Sequence, residues 1–275
     1  MKRTLVAALL LAALPAAAHA FETELLPDSR HQLFQPYSFF TDPQTTLLWR
    51  TPRKGWGEVG GTFAALEVTD WAWRPQLIIQ GSASAAYRFN DKYDTLLTET
   101  IDARVGLAVD LAIAPDSRLE VSWTHWSGHV TDNVPDVSLL GSNSGDELIA
   151  FRLTHDIGER WRVGGTLKPI VGSEPGMKFF AADQFVEWFP WGQAADYQHA
   201  SPYVSLGFEE LGVDHLMFTY HLQLGLLFGN HFREKHHQSL RPVAGYYRGI
   251  DPRLKYAQFM LSRAEFGYFG LALDF

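Results

Sequence analysis

Apolar and polar residues alternate along much of this chain. Between residues 101 and 113 the even positions include Asp102, Arg104 and Asp110, and the odd positions are all apolar: Ile101, Ala103, Val105, Leu107, Val109, Leu111 and Ile113. Because side chains of a β-strand have a period of two, this pattern predicts a strand with one apolar face and one charged face. Residues 216–228 alternate in the same way: Thr219, His221 and Gln223 share one face, and Leu222, Leu224 and Leu226 share the other. Strands of soluble proteins average about 5–6 residues and a tilted membrane-spanning strand needs about 9–11, so these runs favour a membrane.

Twelve such segments can be traced along the chain. An even number returns both ends of the chain to the same side of the membrane, as in bacterial outer-membrane barrels. The short connections at 115–117 and 157–160 then become periplasmic turns, and 130–145 becomes an extracellular loop. The sequence predicts an all-β, up-and-down antiparallel transmembrane barrel of about 12 strands, near 46–52, 57–68, 75–89, 98–113, 117–129, 146–156, 161–171, 179–190, 201–209, 213–229, 238–249 and 263–275.

The two ends of the chain carry further signals. Residues 1–20 have a basic start, an apolar stretch and an Ala18-His19-Ala20 cleavage site, which is typical of a secretory signal peptide. Residues 21–45 contain three prolines without clean alternation and are interpreted as a periplasmic extension or partial plug, and the barrel is assigned to 46–275. The last strand ends in Phe275. It resembles the terminal strand of bacterial outer-membrane proteins, whose final aromatic residue the barrel-assembly machinery recognises.

Composition and charge narrow the function classes. The net charge of −8 becomes −10 when the +2 of Lys2 and Arg3 is removed, which argues against binding of nucleic acid. The absence of cysteine excludes a disulfide framework and a lipoprotein anchor. No later stretch has about 18 consecutive apolar residues, as a transmembrane helix would need. The lumen of a barrel of about 12 strands is narrow enough for side chains to fill, so a wide general porin is not expected.

One strand departs from the apolar pattern on its lipid-facing side. Its outward positions run from Leu119 through Trp123 to His125, Ser127 and His129, at the predicted extracellular end. Residues two apart on a strand share a face and lie about 7 Å apart. With suitable rotamers the His125 imidazole can therefore act as general base for the Ser127 hydroxyl.

A third group is needed to orient the imidazole, as in other hydrolytic triads. Glu147 begins the next antiparallel strand on the outward face, and cross-strand pairing would bring its carboxylate near His125. Asp132, Asn133 and Asp146, interpreted as loop residues, are alternatives, and His129 is a further candidate beside Ser127. A second interpretation of the same stripe is the polar and aromatic girdle that barrels place at the membrane interface.

The outward His125-x-Ser127 pair resembles two families of outer-membrane enzymes. It is similar to outer-membrane phospholipase A, where an Asn completes the triad, and to the lipid A 3-O-deacylases, where a Glu does. In both families the third residue of the triad follows the serine by about a dozen positions. In this sequence that position is Leu139, so the spacing does not match. The resemblance implies a serine esterase that acts on lipid acyl chains.

The whole mature chain also resembles an uncharacterised, domain-of-unknown-function family of bacterial outer-membrane barrels. The residues that carry this resemblance are Leu25-Leu26-Pro27-Asp28, His125-Trp126-Ser127-Gly128-His129 with Asp132, and Tyr246-Tyr247-Arg248-Gly249 with the strand from Phe266 to Phe275. That resemblance implies a barrel and no particular activity.

The sequence thus predicts an integral outer-membrane barrel with outer-membrane lipids as its partners. The function is either a lipid acyl-ester hydrolase, acting on outer-leaflet phospholipid or lipopolysaccharide, or a non-catalytic barrel that serves as a narrow channel, surface protein or scaffold. No cofactor or metal is expected. His231, Glu234, His236 and His237 have metal-ligand chemistry, but a solvated polar turn is the simpler interpretation.

Overall fold

A computed structural model describes residues 22–27, 44–91, 95–131, 144–174, 180–192, 200–212, 216–228, 239–253 and 262–274. Their strands are β1 (Thr23–Leu25), β2 (Thr45–Arg50), β3 (Lys54–Val68), β4 (Gln76–Asn90), β5 (Thr95–Ala114), β6 (Ser117–Val130), β7 (Ser144–Ile157), β8 (Trp161–Glu174), β9 (Phe180–Trp188), β10 (Ser201–Gly212), β11 (Leu216–Leu227), β12 (Ser239–Ile250) and β13 (Arg263–Asp274). These residues include no helix long and apolar enough to cross a membrane.

Strands β2 to β13 form a closed antiparallel barrel of twelve strands. Each strand pairs with the next along the chain, and β13 pairs back with β2. This confirms the predicted all-β, up-and-down, 12-stranded fold. The strand limits differ by a few residues: β5, for example, begins at Thr95 rather than near 98. Strand β1 is additional to the ring and pairs with residues 66–68 of β3.

The two ends of the barrel have different connections. The turn end carries the tight β5–β6 and β7–β8 connections, and in the second of these Gly158 takes a positive φ of 60°. Glycine adopts that left-handed conformation without the steric cost of a Cβ. The loop end is the opposite one, where β6 connects to β7 and β12 to β13.

Alternation places an apolar surface on the outside of the barrel. On β5 the odd-numbered Val105 and Leu107 are about half exposed, whereas Asp102 and Asp110 of the other face are buried. Strand β11 follows the same rule, with Phe218 and Leu224 exposed and His221 buried. A soluble domain would bury that apolar surface, and lipid can cover it instead. The predicted facing of both strands is confirmed.

One wall of the lumen is aromatic. Trp56, Tyr203, Tyr247, Phe266 and Tyr268 belong to one buried cluster contributed by β3, β10, β12 and β13. Polar groups tie this wall to its neighbours: Arg241 of β12 donates a 2.8 Å hydrogen bond to the Tyr203 hydroxyl, which donates to Gln223 Oε1 at 2.7 Å. His221, predicted to face the lumen, is hydrogen-bonded to the Tyr268 hydroxyl.

The other wall of the lumen is ionic. Lys168 Nζ lies 2.6 Å from Asp183 Oδ2, and Arg162 Nε lies 2.9 Å from Asp156 Oδ1. Arg104 Nη1 lies 3.9 Å from Glu58 Oε1, and the Arg104 guanidinium lies 4.4 Å from the ring centroid of Trp126. Because a buried charge is costly unless it is paired, these pairings let charged side chains fill a narrow lumen.

Pro242 lies inside β12, although proline cannot donate a ladder hydrogen bond. The ladder between β12 and β13 runs through Pro242, which is opposite Leu271. The ladder between β12 and β11 instead ends at Val243 and resumes only as an isolated bridge between Leu240 and Phe228. The proline is therefore accommodated by a local gap on one side of its strand.

Candidate functional site

The candidate site lies on the outward face of the β6–β7 hairpin, near the loop end. The facing of β6 is fixed by its lumen residues, since Thr124 accepts a hydrogen bond from Gln80 and Trp126 contacts Arg104. Because neighbouring side chains alternate, His125 and Ser127 point away from the lumen. Both are partly exposed. The predicted outward facing of this pair therefore agrees with the structure.

Glu147 lies directly opposite His125 in the ladder between β6 and β7. Side chains of directly opposite residues in antiparallel strands have Cβ atoms about 4.5–5.5 Å apart. The register thus brings together the histidine and the carboxylate that the sequence suggested as partners. Glu147 is exposed on the same outward face.

The surroundings of Ser127 are small. Its directly opposite residues are Ala103 of β5 and Gly145 of β7. At the level of His125, by contrast, the neighbour on β5 is the larger Val105. Small residues on both sides therefore leave space beside the Ser127 hydroxyl on the lipid-facing surface. Ala103 and Gly145 were not singled out from the sequence; the signal available was that they are the smallest residues of their outward stripes.

The three side chains are close without being hydrogen-bonded to one another in the described part of the chain. A Cβ placed on Gly145 would lie 3.6 Å from His125 Cε1, so the imidazole leans toward the level of Ser127. A Cβ on Gly172 of β8 would lie 3.4 Å from Glu147 Oε2, so the carboxylate leans the other way, over β8. Rotamer changes are needed to complete a triad. Catalytic hydrogen bonds often tighten only when substrate binds.

A β-bulge lies beside Glu147. In the ladder between β7 and β8, Glu147 is opposite Gly172 but Leu148 is opposite Ile170, so β8 has an extra residue, Val171, at this point. Bulges re-aim side chains and occur often beside active sites. Gly172 and the bulge leave the Glu147 side chain room to change rotamer.

The structure places the other candidate site residues differently from one another. Asp146 was interpreted as a loop residue facing the site, and this is wrong: it belongs to β7, is 3% exposed and lies opposite Trp126 on the lumen side. The period of two requires this once Glu147 faces outward. His129 is exposed on the outward face, opposite Ile101 of β5. Asp132 and Asn133 lie outside the described residues.

The described residues contain no group of three or more His, Asp or Glu side chains that could hold a metal ion. The histidine-rich segment at 231–237 and the C-terminal Phe275 lie outside those residues.

Comparisons with known proteins identify a likeness of fold. Outer membrane phospholipase A from Escherichia coli superposes with a TM-score of 0.58 at 12% identity, over 91% of this chain and 97% of that one. The outer membrane phospholipase dimer with bound calcium from Salmonella typhi gives a TM-score of 0.54 at 12% identity, over 87% of this chain and 94% of that one. At such identities the likeness establishes the fold, which is that of an outer-membrane β-barrel.

Sequence comparisons add no family assignment: no protein-family model matches this chain, and neither does any curated protein.

Proposed function

We propose that this barrel is a lipid acyl-ester hydrolase, with Ser127 as nucleophile, His125 as general base and Glu147 as the residue that orients the imidazole. The observation that carries the proposal is the placement of Glu147 directly opposite His125, on the same outward face as Ser127. A girdle of interfacial residues does not require a carboxylate at that position, whereas a triad does.

The chemistry needs no group beyond the chain, the ester and water. The Ser127 hydroxyl attacks the ester carbonyl while His125 accepts its proton, and the collapse of the tetrahedral intermediate returns that proton to the leaving alcohol. Water then attacks the acyl-serine with His125 again as base, which releases a fatty acid and restores the hydroxyl. Glu147 would hold the imidazole in the required tautomer and stabilise its protonated form.

The position of the triad defines how substrate arrives. Ser127 faces the lipid side, and Ala103 and Gly145 leave space beside it, so an acyl chain would approach laterally from the membrane. The substrate is then an acyl ester of the leaflet at the loop end. Outer-membrane phospholipids and lipopolysaccharide share this chemistry. The fold likeness to outer membrane phospholipase A supports the proposal by analogy.

Export and assembly form part of the same proposal. Residues 1–20 would direct the chain across the inner membrane and be removed after Ala20, and Phe275 would be recognised by the barrel-assembly machinery. With that orientation the loop end would lie outside the cell and the turn end in the periplasm.

The decisive experiment measures fatty acid release by the full-length barrel in detergent micelles. Phospholipid and lipopolysaccharide are supplied in separate reactions, which distinguishes the two sources of acyl ester. Ser127→Ala should lower release by about 10³-fold or more, since members of a triad act as a unit. Ser117→Ala is the matched control, because Ser117 also faces outward on β6 but lies at the turn end. Equal release by wild type and Ser127→Ala would refute the proposal.

The alternative is a non-catalytic barrel, and one observation favours it: no hydrogen bond joins Ser127, His125 and Glu147 as the structure describes them. In that case the stripe is an interfacial girdle. The ionic and aromatic filling of the lumen then favours a surface or scaffold protein over a channel. Conductance across a planar bilayer distinguishes these two forms, since a filled lumen passes no current.

A further inference from the structure

Three cations lie in a row across the lumen wall at the loop end. Arg50 of β2 is directly opposite Lys54 of β3, and Lys54 is directly opposite Arg88 of β4. All three belong to the lumen face, because Lys54 and Arg88 are two residues from the buried Trp56 and Ala86 on their strands. We call these residues the cation row. Like charges directly opposite one another on adjacent strands destabilise the sheet, so such a row needs a counter-charge.

The described carboxylates near the cation row are largely committed elsewhere. Arg253, in the connection after β12, lies 2.6 Å from Asp251 and 2.9 Å from Glu99. Glu99 is also 3.6 Å from Arg88. Two carboxylates thus serve Arg253 and Arg88. Within the described residues, no carboxylate lies within ion-pair distance of Arg50 or Lys54.

Arg50 is buried with one of its donors left without a hydrogen-bond partner in the described part of the chain. Its side chain is 5% exposed, and its guanidinium lies 3.6 Å from the centroid of the Phe266 ring. Its Nε has no hydrogen-bond partner among the described residues. A buried donor left without a partner is costly, and a charged one more so. Asp251 and Glu99 attract Arg50 and Lys54 from beyond ion-pair distance, but Arg253 repels both, so three cations of the row and Arg253 share two carboxylates and the cluster keeps an excess of positive charge.

We propose that the cation row is a binding site for a phosphate-bearing solute that enters the lumen from the loop end. Arg and Lys side chains together are the usual protein ligands of phosphate oxygens, through charge-assisted hydrogen bonds. Lys54 and Arg88 are partly exposed, so the row can be reached from solution. The site faces the lumen, whereas Ser127 faces lipid, so this proposal stands independently of the hydrolase.

The test uses inorganic phosphate as the probe and the full-length barrel in uncharged detergent. Binding is measured by calorimetry, and the unfolding temperature is compared between phosphate and chloride at equal ionic strength. Lys54→Gln is the main variant, because the partly exposed Lys54 packs less tightly than Arg50. Arg53→Gln is the matched control, since Arg53 lies in the same β2–β3 connection, is exposed and pairs with Asp91.

Phosphate should raise the unfolding temperature of the wild type and of Arg53→Gln more than chloride does. Lys54→Gln should bind phosphate at least about tenfold more weakly, the effect of losing one charge-assisted hydrogen bond. Without phosphate, the same variant should unfold at or above the wild-type temperature, because one repulsion is removed. The proposal is overturned if phosphate stabilises the wild type no more than chloride does, or if Lys54→Gln binds it as tightly as the wild type.

Discussion

The β6–β7 hairpin carries a serine and a histidine at each of its two ends, and the two pairs are built differently. At the turn end, Ser117 and His155 lie directly opposite each other and are hydrogen-bonded, with 2.9 Å between Oγ and Nδ1. At the loop end, Ser127 and His125 share one strand, have no mutual hydrogen bond as described, and have Glu147 opposite the histidine.

The turn-end pair has no carboxylate directly opposite its histidine, whereas the loop-end pair has Glu147 there. The carboxylate next to His155 in sequence is Asp156, which is held by Arg118 at 2.8 Å and by Arg162 at 2.9 Å. His155 itself has Val163 opposite it on β8. A formed hydrogen bond between serine and histidine is therefore less informative than a carboxylate opposite the histidine and open space beside the serine.

The strongest way to break this comparison is to replace each histidine. His125→Asn should reduce fatty acid release by about 10³-fold, since general-base catalysis contributes about 10²–10⁴-fold. His155→Asn should leave the rate unchanged and remove only one exposed hydrogen bond. Release assays on both variants, with unfolding temperatures as the control for folding, make the measurement. If both variants lose activity equally, the two ends of the hairpin do not differ as proposed.

Replacing the Glu147 carboxylate should lower activity less than replacing His125. Glu147→Gln should lower kcat by about 10²-fold with little change in KM, less than the roughly 10⁴-fold lost when a buried orienting carboxylate becomes an amide. The smaller effect follows from the exposure of Glu147 to solvent. Glu159→Gln, an exposed carboxylate in the turn after β7, is the control. A Glu147→Gln enzyme with wild-type kcat would remove this residue from the mechanism.

Filling the space beside Ser127 should have the smallest effect on activity. Gly145→Val adds methyl groups next to a Cβ position that is 3.6 Å from His125 Cε1. We expect an approximately tenfold loss of kcat/KM, because small displacements of a catalytic group are costly. Gly145→Ala is the control, since its Cβ makes only ordinary contacts and should preserve activity. Equal kcat/KM for the valine variant and the wild type would show that substrate does not use the space beside Ser127.

The fold could be predicted from sequence because the alternation recurs in several long strands. Alternation at 101–113 and 216–228 fixed the facing of Leu107 and His221, and the structure agrees. The pairing of β1 with β3 could not be predicted, because a strand of three residues is too short to show a period. The gap that accommodates Pro242 likewise depends on which neighbour its missing donor faces.

The sequence could predict only those site residues that lie on one strand and on the strand that follows it in the chain. The pairing of Glu147 with His125 followed from a single hairpin. The cation row was missed because Arg50, Lys54 and Arg88 are adjacent only through the register of three strands, which no local pattern encodes. Asp146 was misplaced because it was interpreted as the last loop residue before a strand that begins with Glu147, whereas β7 already begins at Ser144.

The barrel closes through its shortest strand. Strand β2 has six residues, whereas β4 has 15 and β5 has 20. Apart from the two junctions that β2 makes, with β13 and with β3, every junction between neighbouring barrel strands joins strands of at least nine residues. Because ladder hydrogen bonds add along a strand, the two junctions of β2, with five paired residues toward β3 and six toward β13, are among the weakest of the cylinder. A barrel that must open sideways, during insertion or under load, would part there, on the wall opposite the β6–β7 hairpin.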